Sequence, residues 1–198
     1  MASLLKKKFT PAEYLALERK ASEKHEFFAG DIFAMAGASK EHVRISGNLY
    51  HQLRNQLEGK PCEPFNSDLR VRVSATGLYT YPDVSVACAP LEFEDQAEDA
   101  LLNPRVLVEV LSPTTQRHDY VFKFGHYRQI PSVAEILFVA QDVPYVERFV
   151  RVPGALWQFA AVEGLEGSVT IDCLACVLTM AQIYEGVEFP PAPEGAGA

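Results

Sequence analysis

Apolar residues recur along the chain with two different periods, and the changes of period mark the elements. Thr10-Pro11-Ala12-Glu13 opens the first of them. Thr10 can cap, Pro11 suits the first helical position and Glu13 completes a capping box, with Phe9 and Tyr14 placed as a hydrophobic staple. The expected helix runs to about Lys20. Residues 25–35 hold two short aromatic and aliphatic runs around Ala29-Gly30-Asp31, the pattern of a hairpin. Ser39 then caps a longer helix that places Val43, Leu49, Tyr50, Leu53 and Leu57 near one face, and Gly59 and Pro61 stop it.

Beyond this point the pattern is mostly that of strands. Residues 68–73 alternate polar and apolar, and residues 81–88 and 105–111 are rich in Val. Residues 120–129 read as a helix closed by Pro131, and strand-like runs follow at 135–140, 145–151, 155–161 and 168–172. Thr179-Met180-Ala181-Gln182 is a second capping box and opens a short last helix. The expectation is one α+β domain over residues 1–189, with an N-terminal helix and β-hairpin. The tail of residues 190–198, Pro- and Gly-rich, is expected to be disordered.

Composition narrows the class without changing it. The 198 residues are 48% hydrophobic and 22% charged, the balance of a globular chain. No apolar run approaches the ~20 residues that span a bilayer, so no membrane role is expected. The start MASLLKKKF has no apolar segment to direct export, and a cytoplasmic protein is expected. The formal charge of −8 argues against coating nucleic acid by electrostatics alone. Five of the acidic residues lie in Glu92-Phe93-Glu94-Asp95-Gln96-Ala97-Glu98-Asp99, read here as one exposed loop; the rest of the chain carries −3. A local basic groove therefore stays open, and Arg44, Arg54, Arg70, Arg72 and Arg117 are its candidates, although scattered Arg is usually surface.

The chemistry concentrates in the middle of the chain. Period two puts Val84, Val86 and Cys88 on one face of a strand and Asp83, Ser85 and Ala87 on the other. Alone, Asp83 reads best as a charge at the strand's exposed entrance after Pro82. Val106, Val108 and Val110 share one face of the next strand, and Leu107, Glu109 and Leu111 share the other. Apolar residues on both faces indicate a strand covered on both sides, which leaves Glu109 as a buried carboxylate needing a partner or a metal. Its plain structural role would be an ion pair with a core Arg or Lys. On the following helix Asp119, Lys123 and Tyr127 share a face, and Lys123 can reach Glu109 or form a solvated pair with Asp119. Two carboxylates converging on one point need a cation between them, and hard oxygen ligands favour Mg²⁺ or Mn²⁺. Such an ion with an adjacent Lys is the equipment of phosphodiester hydrolysis: the amine orients the water or stabilises the developing charge.

These residues form a familiar string. Pro82-Asp83 followed by Glu109-Val110-Leu111 resembles the bipartite PD-(D/E)XK signature of restriction-endonuclease-like proteins. The fuller string adds His25-Glu26, Gly30-Asp31, residues 39–42, Tyr81 and Val84, residues 108–115, Asp119, Lys123, Tyr127 and Ile130-Pro131-Ser132-Val133. It resembles the Uma2 family, formerly DUF820, over residues 9–189. The resemblance implies a restriction-endonuclease-like core, a central mixed sheet flanked by helices, a divalent metal and endonuclease activity on DNA. By the same resemblance Asp83 and Glu109 bind the metal and Val110 lends its backbone carbonyl. Leu111 stands where the motif has Lys, so Lys123 is taken as the amine that has migrated to the helix. Glu26 is a further carboxylate candidate, favoured slightly as a hairpin-edge charge, and Tyr127 a group that orients Lys123. Glu41 and His42 read as capping or surface groups, with phosphate binding at the helix start as the other option.

Rival readings are a catalytically silent nucleic-acid-binding or interaction domain of the same fold, which Leu111 and the acidic charge favour, and a hydrolase of small phosphoesters. A homodimer suits the cutting of two strands, although no residue demonstrates it. Cys173 and Cys176 form one CxxC pair, short of the four ligands of structural zinc, and Cys62 and Cys88 form no second one; all four read as core or half-buried thiols. No P-loop occurs, and Ser112 lacks a GxSxG setting.

Overall fold

The computed structural model describes residues 7–112, 116–154 and 156–190, with the side chains of 116–119 excepted. Asp119 and Arg117 therefore lie outside the described side chains, and the tail expected to be disordered lies, from residue 191, outside the described residues. Helix α1 (Pro11–Glu18) starts on the Thr10 capping box, whose hydroxyl accepts from the Glu13 amide. Strands β1 (His25–Phe28) and β2 (Asp31–Ala34) pair antiparallel. Ala29 and Gly30 between them both have positive φ, as a two-residue hairpin of this hand requires. Helix α2 (Lys40–Gln56) is capped by Ser39. The chain then runs through β3 (Cys62–Asn66), β4 (Arg70–Val73), β5 (Leu78–Thr80), β6 (Val84–Cys88), β7 (Ala100–Leu101) and β8 (Pro104–Leu111). After α3 (Gln116–Tyr127) come β9 (Glu135–Ala140), β10 (Tyr145–Val152), β11 (Leu156–Glu163), β12 (Ser168–Ile171), β13 (Cys176–Thr179) and α4 (Met180–Ile183).

The central sheet has the order β11-β10-β9-β8-β6-β3 and is mixed: β8 and β9 run parallel, bridged by α3, and its other neighbours are antiparallel. Both its faces are covered, as the twin apolar faces of β8 required. Val106, Val108 and Val110 pack with Ile45, Leu49 and Leu53 of α2 and with Leu178, Met180 and Ile183. Leu107 and Leu111 face the other way, into a core shared with Tyr127 of α3 and with Val71, Val73 and Leu78 of a smaller sheet, β2-β1-β5-β4-β7. Tyr14 and Leu15 of α1 close that small sheet against Phe27 and Tyr79. No helix among the described residues is long and apolar enough to cross a membrane.

Three expectations need correction. Val43 is 58% exposed, and Ile45 takes its place in the buried stripe of α2; Ile45, Leu49 and Leu53 repeat every four residues, whereas Val43 lies off that line. Cys62 and Cys88 are opposite each other in the β3–β6 register and form a disulfide, so only Cys173 and Cys176 are thiols. Cys spacing along the chain carries no sign of a strand register. The acidic segment is a largely exposed loop, as expected, but its carboxylates are paired. Phe93 bridges Leu101, Arg19 holds Asp95 and Asp99, Arg72 donates to Glu94 at 2.6 Å, and Arg70 pairs with Asp99. Arg70 and Arg72 are accordingly spent on this segment and do not line a phosphate groove. The Arg19 hydrogen bonds hold the Asp99 carboxyl below its ordinary range.

Arg70 is buried and pairs with a partly buried Asp99 that Arg19 also holds, so removing it costs a charge-assisted hydrogen bond without stranding the carboxylate. Arg70→Ala is expected to lower the unfolding free energy in urea melts by about 2 kcal/mol. Lys24→Ala, which breaks a pair with the exposed Asp68, is expected to cost less than about 1 kcal/mol.

Candidate active site

Glu109 sits near the C-terminal end of β8, on the face shared with Leu107 and Leu111, and is only 8% exposed. A carboxylate there must be compensated, and α3 supplies the compensation. Because α3 follows β8 through a short connection, it packs back on that strand, and Lys123 and Tyr127, one turn apart, point at the same carboxylate. The Tyr127 hydroxyl donates to Glu109 Oε1, and Lys123 Nζ lies 3.5 Å from the same oxygen. The ammonium is itself buried and is held from the small sheet: it donates to Glu26 Oε1 of β1 at 2.6 Å and to Thr80 Oγ1 of β5 at 2.6 Å. Thr80 in turn donates to Glu26 Oε1. Glu26 is thus no hairpin-edge charge but the principal counter-ion of Lys123, and Lys123 is not a solvated surface group.

Asp83 lies directly before β6, which begins at Val84 rather than at Tyr81. Its two oxygens are fixed separately. Oδ2 accepts the Val110 amide at 2.7 Å, and Oδ1 is 2.8 Å from Nε2 of His42. The Val110 amide bond ties Asp83 to the strand that carries Glu109, so the two carboxylates approach from neighbouring strands. His42 stands in the first turn of α2, three residues after its cap, and its own amide donates to Ser39. It belongs with Asp83, which the capping or surface role assigned to it from sequence missed. Thr80 was missed entirely: β5 is buried at every position, so no alternation marks its one polar residue. Arg44, one of the proposed groove residues, donates to the Gly186 carbonyl.

The electrostatics follow from this crowding. Burial pushes the Glu109 carboxyl up, to about 7; Lys123 pulls it down, the charge of Asp83 raises it, the Tyr127 hydrogen bond lowers it and Glu26 raises it again. Burial opposes the charged form of Lys123, but Glu109, Tyr127 and Glu26 outweigh it and raise the ammonium well above its ordinary value. Burial likewise opposes imidazolium at His42, yet the hydrogen bond and charge of Asp83, helped by Glu109, leave it raised. Among the described residues no three His, Cys, Asp or Glu side chains group tightly enough to enclose an ion. The oxygens of the two carboxylates are hard donors, and a pair of them suits an ion retaining much of its water, as Mg²⁺ does.

Comparison with known proteins bears on the family and the fold. The model of the Uma2 family, described as "Putative restriction endonuclease", matches residues 11–181. Two uncharacterised proteins of Synechocystis are similar to the chain. One, sll1609, is 37% identical over 155 residues, covering 78% of this chain and 88% of its own. The other, slr1290, is 35% identical over 185 residues, covering 92% and 94%. A crystal structure from Anabaena variabilis, described as "a putative nuclease belonging to DUF820", superposes with a TM-score of 0.72. At 18% identity it covers 89% of this chain and 97% of its own length, and shares its fold.

The raised Glu109 carboxyl has a measurable consequence for the metal-free protein. The folded chain keeps this proton up to about pH 7, whereas the unfolded chain releases it near the ordinary 4.5. In that window the native state binds more protons, so its stability falls as pH rises. Urea melts in chelator from pH 5 to pH 8 are expected to show the wild type losing stability relative to Glu109→Gln, and a constant difference across that range would refute the assignment.

Proposed function

The chain belongs to the Uma2 family, and on that premise we propose that it is a metal-dependent endonuclease that hydrolyses DNA phosphodiester bonds at the site formed by Asp83, Glu109 and Lys123. The observation that carries this reading is the buried Lys123 ammonium, 3.5 Å from Glu109 and delivered by α3 although position 111 is Leu. Its position beside Glu109 supports the reading that Lys123 stands in for the amine missing from the strand.

Asp83, Glu109 and the Val110 carbonyl are the groups that would hold Mg²⁺ or Mn²⁺, since carboxylate and carbonyl oxygens are the hard donors such ions take. An ion bound there supplies a Lewis acid for the phosphoryl oxygen and a water of lowered pKa. The chain's own residues do the rest. Lys123 is a fixed, buried cation, suited to orient the attacking water and to stabilise charge developing on the phosphoryl oxygens. Glu26 and Thr80 hold the ammonium in place, and Tyr127 fixes one oxygen of Glu109. His42 and the Val110 amide leave Asp83 no rotational freedom, which is the work of outer partners around a ligand set.

Nicking of supercoiled plasmid in Mg²⁺ or Mn²⁺ tests the proposal. Asp83→Asn, Glu109→Gln and Lys123→Met are each expected to reduce the rate by about 10²–10³-fold, and His42→Ala by about 10–100-fold through weaker metal binding. Nicking that survives Asp83→Asn would overturn the assignment. DNA binding without any nicking by the wild type would instead favour the silent domain of the same fold.

A further inference from the structure

The central sheet ends in two edges that are treated very differently. Strand β3 carries Pro64 at its centre and is stapled to β6 by Cys62–Cys88, devices that blunt an edge. The outer strands of the smaller sheet, β2 and β7, have four and two residues, too short to template pairing. Strand β11 has none of this protection. It spans eight residues, Leu-Trp-Gln-Phe-Ala-Ala-Val-Glu, without Pro, Gly or Lys. It pairs with β10 along its whole length, and among the described residues nothing pairs with its other side. Leu156 is 66% and Phe159 52% exposed. Phe159 packs at a tilt on its cross-strand neighbour Phe149, and Trp157 lies under the guanidinium of its neighbour Arg151, 4.6 Å away. Both rings are thus held from the β10 side, while no strand among the described residues takes the outer side.

We propose that β11 is a dimerisation edge, on which a second copy of this chain adds its own β11 antiparallel to extend the central sheet across the pair. Charge selects both the occupant and the direction. A partner to a chain of formal charge −8 must meet it where like charges are sparse, and β11 holds one ionisable residue, Glu163, at its very end. Glu147, opposite Ala161, adds to the acidic end, whereas Arg151, opposite Trp157, makes the other end basic. An antiparallel twofold pairing brings the acidic end of each copy to the basic end of the other and separates the two Glu163 side chains by about 24 Å. Parallel pairing would set them side by side at about 5 Å.

Sedimentation velocity on the full chain, with hydrogen exchange followed at several concentrations, tests this. The wild type is expected to dimerise below about 100 μM, with β11 amides growing more protected as concentration rises. Ala160→Glu, at an exposed position opposite Arg148 of its own hairpin, is expected to weaken the dimer by about tenfold or more with an unchanged far-UV spectrum. Should that variant misfold, Phe159→Glu and the wild-type exchange data carry the test. A wild type that stays monomeric at about 100 μM, or a dimer whose β11 exchange does not respond to concentration, would overturn the proposal.

Discussion

The buried carboxylate of Glu109 is the constraint that organises this molecule. A strand sealed on both faces by aliphatic cores cannot keep an anion without partners, and each element around it answers that demand. Helix α3 brings an ammonium and a phenol, β1 and β5 bring the carboxylate and hydroxyl that hold the ammonium, and the segment before β6 brings Asp83 onto the next amide of the same strand. The small sheet, which shares only one face of the main core, has its place explained by this: without Glu26 and Thr80, Lys123 would keep only the longer contact with Glu109.

The acidic surplus of the chain is managed by the same economy of partners. The stretch with the densest negative charge is folded back onto Arg19, Arg70 and Arg72, which are removed from any contact with a ligand in the process. Charge counted along a sequence therefore says little about the field a ligand meets, because pairing decides which charges remain available. What is left at the site is one buried ammonium between the carboxylates of Glu26 and Glu109.

Much of the fold was legible. Both capping boxes, the hairpin at residues 25–35 and the two-sided burial of β8 follow from local spacing, since caps, turns and period two are short-range signals. The pairing of Lys123 with Glu109 was legible too, because a helix docks on the strand it follows. Other contacts depend on which distant strands become neighbours. Cys62–Cys88 needs the β3–β6 register, Thr80–Lys123 needs the small sheet to lie over α3, and His42–Asp83 needs the start of α2 to meet the start of β6. The position of Val43 was misjudged for a more local reason: apolar character alone does not say on which side of a helix a residue falls when the true stripe is set by its neighbours Ile45, Leu49 and Leu53.

Delivery of the amine by α3 instead of β8 changes how this centre is mechanically built. Lys123 and Tyr127 are about 6 Å apart along one rigid rod, and both end on the same oxygen of Glu109. A slide or tilt of that rod displaces both donors in concert, while β8 stays clamped between its neighbours. The seating depth of that helix thereby sets both donors at once, and the small sheet, through Glu26 and Thr80, resists any displacement of the ammonium.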